Sequence, residues 1–195
     1  MVRRSSPLRT AAALLTVGLL AAAPAVHPRT VDVAIRTTDG TFVVRLDPAH
    51  APKTVANFLH YVDAGTYNGA KFYRTVRKAT EPNSNIEVIQ GGLNPQTSNP
   101  MIAPVELEPL SRTGLHNDDG ALAMARTSDP NSATTEFFVD IGNDRFLDTT
   151  GGGYAVFGKV ISGMNVVHKI HEAQASGEML SPPITILSAR RVLVR

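Results

Sequence analysis

The sequence contains no cysteine, which excludes disulfides, thiol catalysis, zinc–thiolate sites and a lipidated N-terminal cysteine. The usual reactive constellations are missing as well. There is no Gly-x-Ser-x-Gly elbow and no glycine loop of the phosphate-cradling kind. Gly151-Gly152-Gly153 precedes a strand-like run rather than a helix and reads as a flexible turn. His171-Glu172 begins like a zinc-protease helix, but Ala175 stands where the second histidine is needed. His168 and His171 sit a helical turn apart and read as surface histidines of an amphipathic helix rather than a two-histidine metal pair. Asp144 and Asp148 read as turn formers around Phe146-Leu147. No metal or cofactor is expected.

A strong charge bias is also lacking. Lys and Arg number 19 against 17 Asp and Glu. Arg3, Arg4 and Arg9 form a basic head, followed by an apolar run from Ala11 to Ala23 and the small residues Ala23-Pro24-Ala25. This is the layout of a secretory signal peptide. Residues 1–25 are expected to be cleaved near Ala25, leaving 26–195 as one domain in the periplasm or secreted. The apolar run is shorter than the ~18–20 residues that span a bilayer, so stable membrane insertion is not expected. The sequence pI of 9.1 describes the precursor. Without the three leader arginines the basic excess over 17 acidic residues disappears, and with it any reason to expect a nucleic acid partner.

What remains is an ordinary globular balance, with 43% hydrophobic and 18% charged residues. Val31, Val33 and Ile35 alternate with polar or small residues, and Asp39-Gly40 precedes Phe42–Leu46. This predicts a hairpin whose two-residue turn draws its positive φ angles from Asp-Gly. Pro52 opens a helix, Val55, Phe58, Leu59 and Val62 form its apolar stripe, and Gly65 ends it. A shorter helical pattern runs through Val166, Val167 and Ile170. The other apolar runs are short: Ile86–Ile89, Ala121–Met124, Phe137–Val139 and Tyr154–Phe157. Many short strands around few helices predict an antiparallel barrel or sandwich. Residues 91–119 read as a long loop.

Three segments carry a further pattern. The first is Phe72-Tyr73-Arg74-Thr75-Val76, continuing to Ile89-Gln90-Gly91-Gly92. The second is Met124-Ala125-Arg126-Thr127 with Ser132-Ala133-Thr134-Thr135-Glu136-Phe137-Phe138. The third is Phe146-Leu147-Asp148 with Tyr154-Ala155-Val156-Phe157-Gly158-Lys159-Val160. In this order, across about residues 31 to 194, they resemble the bacterial, exported form of the cyclophilin peptidyl-prolyl cis–trans isomerases. The resemblance implies a mainly β fold, an eight-stranded antiparallel closed barrel capped by two helices, with its site on the outer face. It implies a monomer that acts on proline-containing segments of unfolded or folding exported proteins.

The implied reaction explains why few reactive groups suffice. Rotation about a peptide bond faces a barrier of ~18–20 kcal/mol because the nitrogen lone pair is shared with the carbonyl. No covalent bond breaks. A fixed cation with several donors can favour the twisted amide, whose nitrogen regains its lone pair. By resemblance Arg74 is that cation and Gln90 the supporting amide. Phe138, Leu147, Val88 and Tyr154 would hold the proline ring, Phe146 would line the edge, and Ala125 and Arg126 the adjacent groove. Glu136 stands beside the groove in place of a glutamine, where its charge would favour basic flanking residues. From spacing alone, Phe138 and Leu147 read as barrel core, and Phe137 and Phe138 face opposite sides of a strand.

Phe146 and Tyr154 replace the tryptophan and histidine of many eukaryotic members, which counts against tight cyclosporin binding. Arg77 to Ile86 is longer than the family's usual link, and Glu87 falls at a pocket position. A proline-peptide binding module or chaperone with little turnover is the competing expectation.

Overall fold

The computed structural model describes residues 30–78, 86–93 and 103–192. The expected leader, 1–25, and most of the insertion between Arg77 and Ile86 lie outside the described residues.

The predicted hairpin forms from β1 (Val31–Thr37) and β2 (Gly40–Leu46). Its turn is displaced by one residue: Thr37 pairs with Gly40, so Thr38 and Asp39 form the loop. Only Gly40 has positive φ, at 140°. A side chain there would also meet Val166 at 2.8 Å. Asp39 needs no positive φ because its N–H and the Gly40 carbonyl are both satisfied by the Thr37 hydroxyl.

The helix α1 (Pro52–Asp63) buries Val55, Phe58, Leu59 and Val62 as its stripe predicts. Its N-cap residue is Ala51, which has no capping side chain. Glu108, fully buried, supplies the cap from the distant loop by accepting the Lys53 and Thr54 N–H groups. A carboxylate is favoured there by the positive end of the helix dipole.

Strands β3 (Lys71–Val76) and β4 (Val88–Gly92) follow. The single helical turn α2 (Leu110–Thr113) interrupts the segment read as a loop. Then come β5 (Ala121–Met124), β6 (Phe137–Asp140), β7 (Val156–Ser162), α3 (Met164–His171), the two-residue β8 (Ala175–Ser176) and β9 (Met179–Arg191). The pairing order β1-β2-β7-β5-β6-β4-β3-β9 closes through β1 against β9, and every pair is antiparallel. This is the eight-stranded closed barrel, with β8 appended to β9.

Alternation sorts the strands into two layers. Phe42, Phe72, Ile89, Leu122, Phe137, Val139 and Phe157 point inward, joined by Phe58 of α1 and Val167 and Ile170 of α3. Phe137 meets Phe58, Tyr67 and Phe72 edge to face. Truncating such a residue costs about 3–5 kcal/mol. A second, separate cluster forms on the outside from Val76, Val88, Ala123, Ala125, Phe138, Leu147 and Val156. His171 corrects the sequence reading: it is buried, with Nε2 3.0 Å from the Val76 carbonyl. Among the described residues, no helix is long and apolar enough to cross a membrane.

Candidate active site

The outer cluster is assembled by cross-strand neighbours. Arg74 opposes Gln90, Gln90 opposes Phe138, Phe138 opposes Ala123, and Ala123 opposes Val156. One row across five strands therefore carries a cation, an amide and an apolar floor.

Arg74 reaches that row through a bulge. Strict alternation would put Arg74 on the same face as Phe72, inside the barrel. Between Phe72 and Arg74 the register advances two residues on β3 for one on β4, leaving Tyr73 as the extra residue. The bulge turns Arg74 outward while Phe72 stays in the core. Two residues along β3 separate a buried core residue from a half-buried cation on the outer face.

Arg74, Gln90, Val88, Ala125, Arg126, Phe138, Leu147 and Tyr154 line one small cavity of about 90 Å³, together with Ile86. Phe138 and Leu147 are 4% and 5% exposed, yet they face this cavity and not the barrel interior. The spacing-based reading as barrel core was wrong because the barrel buries apolar residues on both sides of its wall. Tyr154 stands edge-on to Phe138, with ring centroids 5.5 Å apart. A larger cavity of about 440 Å³ lies beyond Val156. Its Arg45, Asp118 and His116 are already paired with Asp32, Arg145 and Asp148, so the chemistry favours the smaller one.

Polar contacts define the Arg74 side. Its Nε donates to Glu178 Oε2 at 2.6 Å and its Nη1 to Gln90 Oε1 at 2.9 Å. Among the described residues, no acceptor engages Nη2. Gln90 Nε2 donates to the Tyr73 hydroxyl at 2.9 Å, and that hydroxyl donates to Glu136 Oε2 at 2.6 Å. Burial pushes the Glu136 carboxyl above its ordinary range, against the hydrogen bond from Tyr73. Burial likewise raises the Tyr73 hydroxyl.

Three expectations need correction. Glu136 is buried under Tyr73, so its charge is not offered to a flanking residue of a substrate. Phe146 is 53% exposed and does not line the cavity. The pocket wall after the insertion is Ile86 and Val88; Glu87 instead donates its N–H to Asp144 and pairs with Lys78. Glu178 had no local signal, being 104 residues from Arg74 in sequence.

Arg126 is tied down by the glycine turn. Its nitrogens donate to the carbonyls of Thr127, Thr150, Gly151 and Gly153, and its guanidinium carbon lies 4.3 Å from the Tyr154 ring centroid. Gly151–Gly153 is thus the anchor of a pocket wall, beyond the flexible turn read from sequence.

Behind Val88 and Leu147 lies an acidic group, two of whose members, Asp144 and Asp148, read as turn formers in the sequence. Asp144 is fully buried, and burial pushes its carboxyl up to about 6. Asp140, paired with Val88 across the sheet, is pushed up to about 9 by burial and by Asp144, Asp148 and Asp118. Asp148 goes the other way: burial would raise it, but the Asn117 and His116 hydrogen bonds hold it low. Among the described residues, no group of three or more His, Cys, Asp or Glu converges as a metal site.

The family profile of the cyclophilin type peptidyl-prolyl cis-trans isomerases matches residues 30–191. The chain belongs to this family. It is 41% identical over 144 residues to the peptidyl-prolyl cis-trans isomerase cyp18 of Streptomyces antibioticus, covering 71% of this chain and 81% of that one. It is 38% identical to peptidyl-prolyl cis-trans isomerase A of Dickeya dadantii, covering 93% of this chain and 96% of that one. A Cryptosporidium parvum cyclophilin type isomerase, crystallised in the presence of the dipeptide Ala-Pro, shares the fold with a TM-score of 0.69. At 23% identity it covers 84% of this chain and 99% of that one. This cyclophilin is accordingly a peptidyl-prolyl cis–trans isomerase, and the arrangement around Arg74 is where its geometry suits that reaction.

Proposed function

We propose that this cyclophilin isomerises Xaa-Pro bonds in exported polypeptides, with Arg74 as the group that stabilises the twisted amide. The observation that carries the proposal is the state of the Arg74 guanidinium. Glu178 and Gln90 hold two of its nitrogens, and among the described residues no acceptor engages Nη2 at the rim of the cavity. A donor fixed in advance costs no reorganisation when the amide nitrogen recovers its lone pair. The guanidinium remains protonated throughout, so it can donate without taking part in proton transfer.

The proline ring fits the floor of Phe138, Leu147 and Val88, with Tyr154 as its side wall. Such a surface holds the ring without gripping the rotating carbonyl, which must swing while the ring stays put. The substrate's preceding residues run past Ala125. The Cryptosporidium protein's crystals with Ala-Pro support a proline-containing ligand for this fold.

The arginine head, apolar run and Ala23-Pro24-Ala25 of the N-terminus support export, with the isomerase acting as a monomer in the periplasm or outside the cell. Peptide exchange followed by a protease-coupled assay tests the activity on purified residues 26–195. N-terminal sequencing of the protein recovered outside the cytoplasm tests export: a start near Val26 is expected, and an intact Met1 contradicts it.

A further inference from the structure

We infer that Tyr73 and Glu136 are positioning residues of the isomerase site, fixing which end of the Gln90 amide faces Arg74. The inference rests on the reading of Arg74 as the amide-stabilising donor.

The argument follows the direction of each hydrogen bond. A carboxylate accepts only, so the Tyr73 hydroxyl, 2.6 Å from Glu136 Oε2, must spend its single proton there. The hydroxyl then offers only lone pairs to Gln90. Gln90 can meet them only with its NH2, and Nε2 lies 2.9 Å away. That leaves Oε1 for Arg74 Nη1, which can only donate, at 2.9 Å. Reversing the amide would set NH2 against the guanidinium and a carbonyl against a hydroxyl whose proton is already used. The Glu136 carboxylate thus sets the polarity of the whole chain from two residues away.

The fold makes room for this carboxylate and keeps it out of water. Glu136 is 8% exposed. A Cβ on Gly92, where φ is +146°, would lie 2.5 Å from Glu136 Oε1. Any other residue there would evict the group. The β3 bulge supplies the other end by making Tyr73 and Arg74, adjacent in sequence, both available to Gln90. At the far side of the guanidinium Glu178 fixes Nε, so the plane of the fork is determined at two points.

The test is steady-state kinetics on a short Xaa-Pro peptide with single and double variants of residues 26–195. Tyr73→Phe keeps the ring and removes the hydroxyl, and it is expected to lower kcat about tenfold with KM within about twofold, as loss of an orienting hydrogen bond does. Glu136→Leu should match it. Glu136→Gln, whose amide oxygen can still accept, should recover most of the rate. In a Gln90→Ala background, Tyr73→Phe should change kcat by no more than about twofold, because the chain is already cut. Multiplicative effects in that background, or a Tyr73→Phe enzyme with wild-type kcat, overturn the inference and leave Arg74's role intact. An Arg74→Ala enzyme with wild-type kcat overturns both readings. Thermal melting of each variant separates a positional loss from partial unfolding.

Discussion

Arg74 and Arg126 line the same cavity and are held in opposite ways. Every nitrogen of Arg126 donates to a backbone carbonyl, and its flat face is covered by Tyr154. Arg74 is anchored by two side chains and keeps Nη2 uncommitted among the described residues. The difference shows that a pocket arginine is a catalytic candidate through its spare donors, and not through its charge. Arg126 builds the wall; in the proposed mechanism Arg74 faces the reacting bond. Among buried carboxyls the same contrast recurs. Glu136 is bound through Oε2 into a directed chain, whereas among the described residues neither oxygen of Asp140 has a hydrogen-bond partner.

The sharpest way to break the comparison is to keep the charge of Arg74 and remove its fork. Arg74→Lys is expected to lower kcat/KM about 100-fold, the scale of losing one preorganised donor, without lowering the melting temperature. A lysine enzyme with near wild-type kcat/KM would mean that charge alone is enough.

The carboxyl contrast comes next in size. Asp140 is raised to about 9 in the folded chain, against 3.8 when free. It therefore holds its proton in the folded state while the unfolded chain releases it. Its contribution to stability is fully present below about pH 4 and is lost as pH rises toward 9. Asp140→Asn should then stabilise the fold on the order of 2 kcal/mol at pH 8 and hardly at all at pH 4. Urea midpoints at the two pH values check this. Equal effects at both would show that Asp140 is ionised in the folded protein.

The smallest effect is expected at Arg126. Arg126→Ala should raise KM by about three- to tenfold through a loosened Tyr154 wall, with kcat within about twofold. Its loss should also lower the melting temperature, since four backbone carbonyls surrender a charged donor. A kcat loss larger than that of Arg74→Lys would reverse the assignment of the two arginines.

Much of this was legible in the sequence where one element suffices to decide. The stripe of Val55, Phe58, Leu59 and Val62 places α1, and the alternation around Val33 and Phe42 places the first hairpin. Family-like motifs carried Arg74, Gln90 and the pocket residues Phe138, Leu147 and Tyr154 into one cavity. What stayed hidden depends on neighbours across strands. The bulge at Tyr73 is one extra residue measured against β4, and no local pattern marks it. Glu178 meets Arg74 only because β9 runs beside β3. Glu136 read as a groove charge because, by resemblance, it replaces a glutamine there, but Gly92 opens a space that holds its carboxyl beneath Tyr73. Asp144 read as a turn former and Asp140 carried no signal, and only the packing behind Val88 buries them.

The most direct test of the account is the protease-coupled rate of an Xaa-Pro peptide with wild type, Arg74→Ala and Arg126→Ala under one set of conditions. A drop in kcat/KM of about 100-fold or more for Arg74→Ala, against about tenfold or less for Arg126→Ala, is predicted from the loss of one prepositioned donor. An Arg74→Ala enzyme that retains wild-type kcat/KM contradicts it.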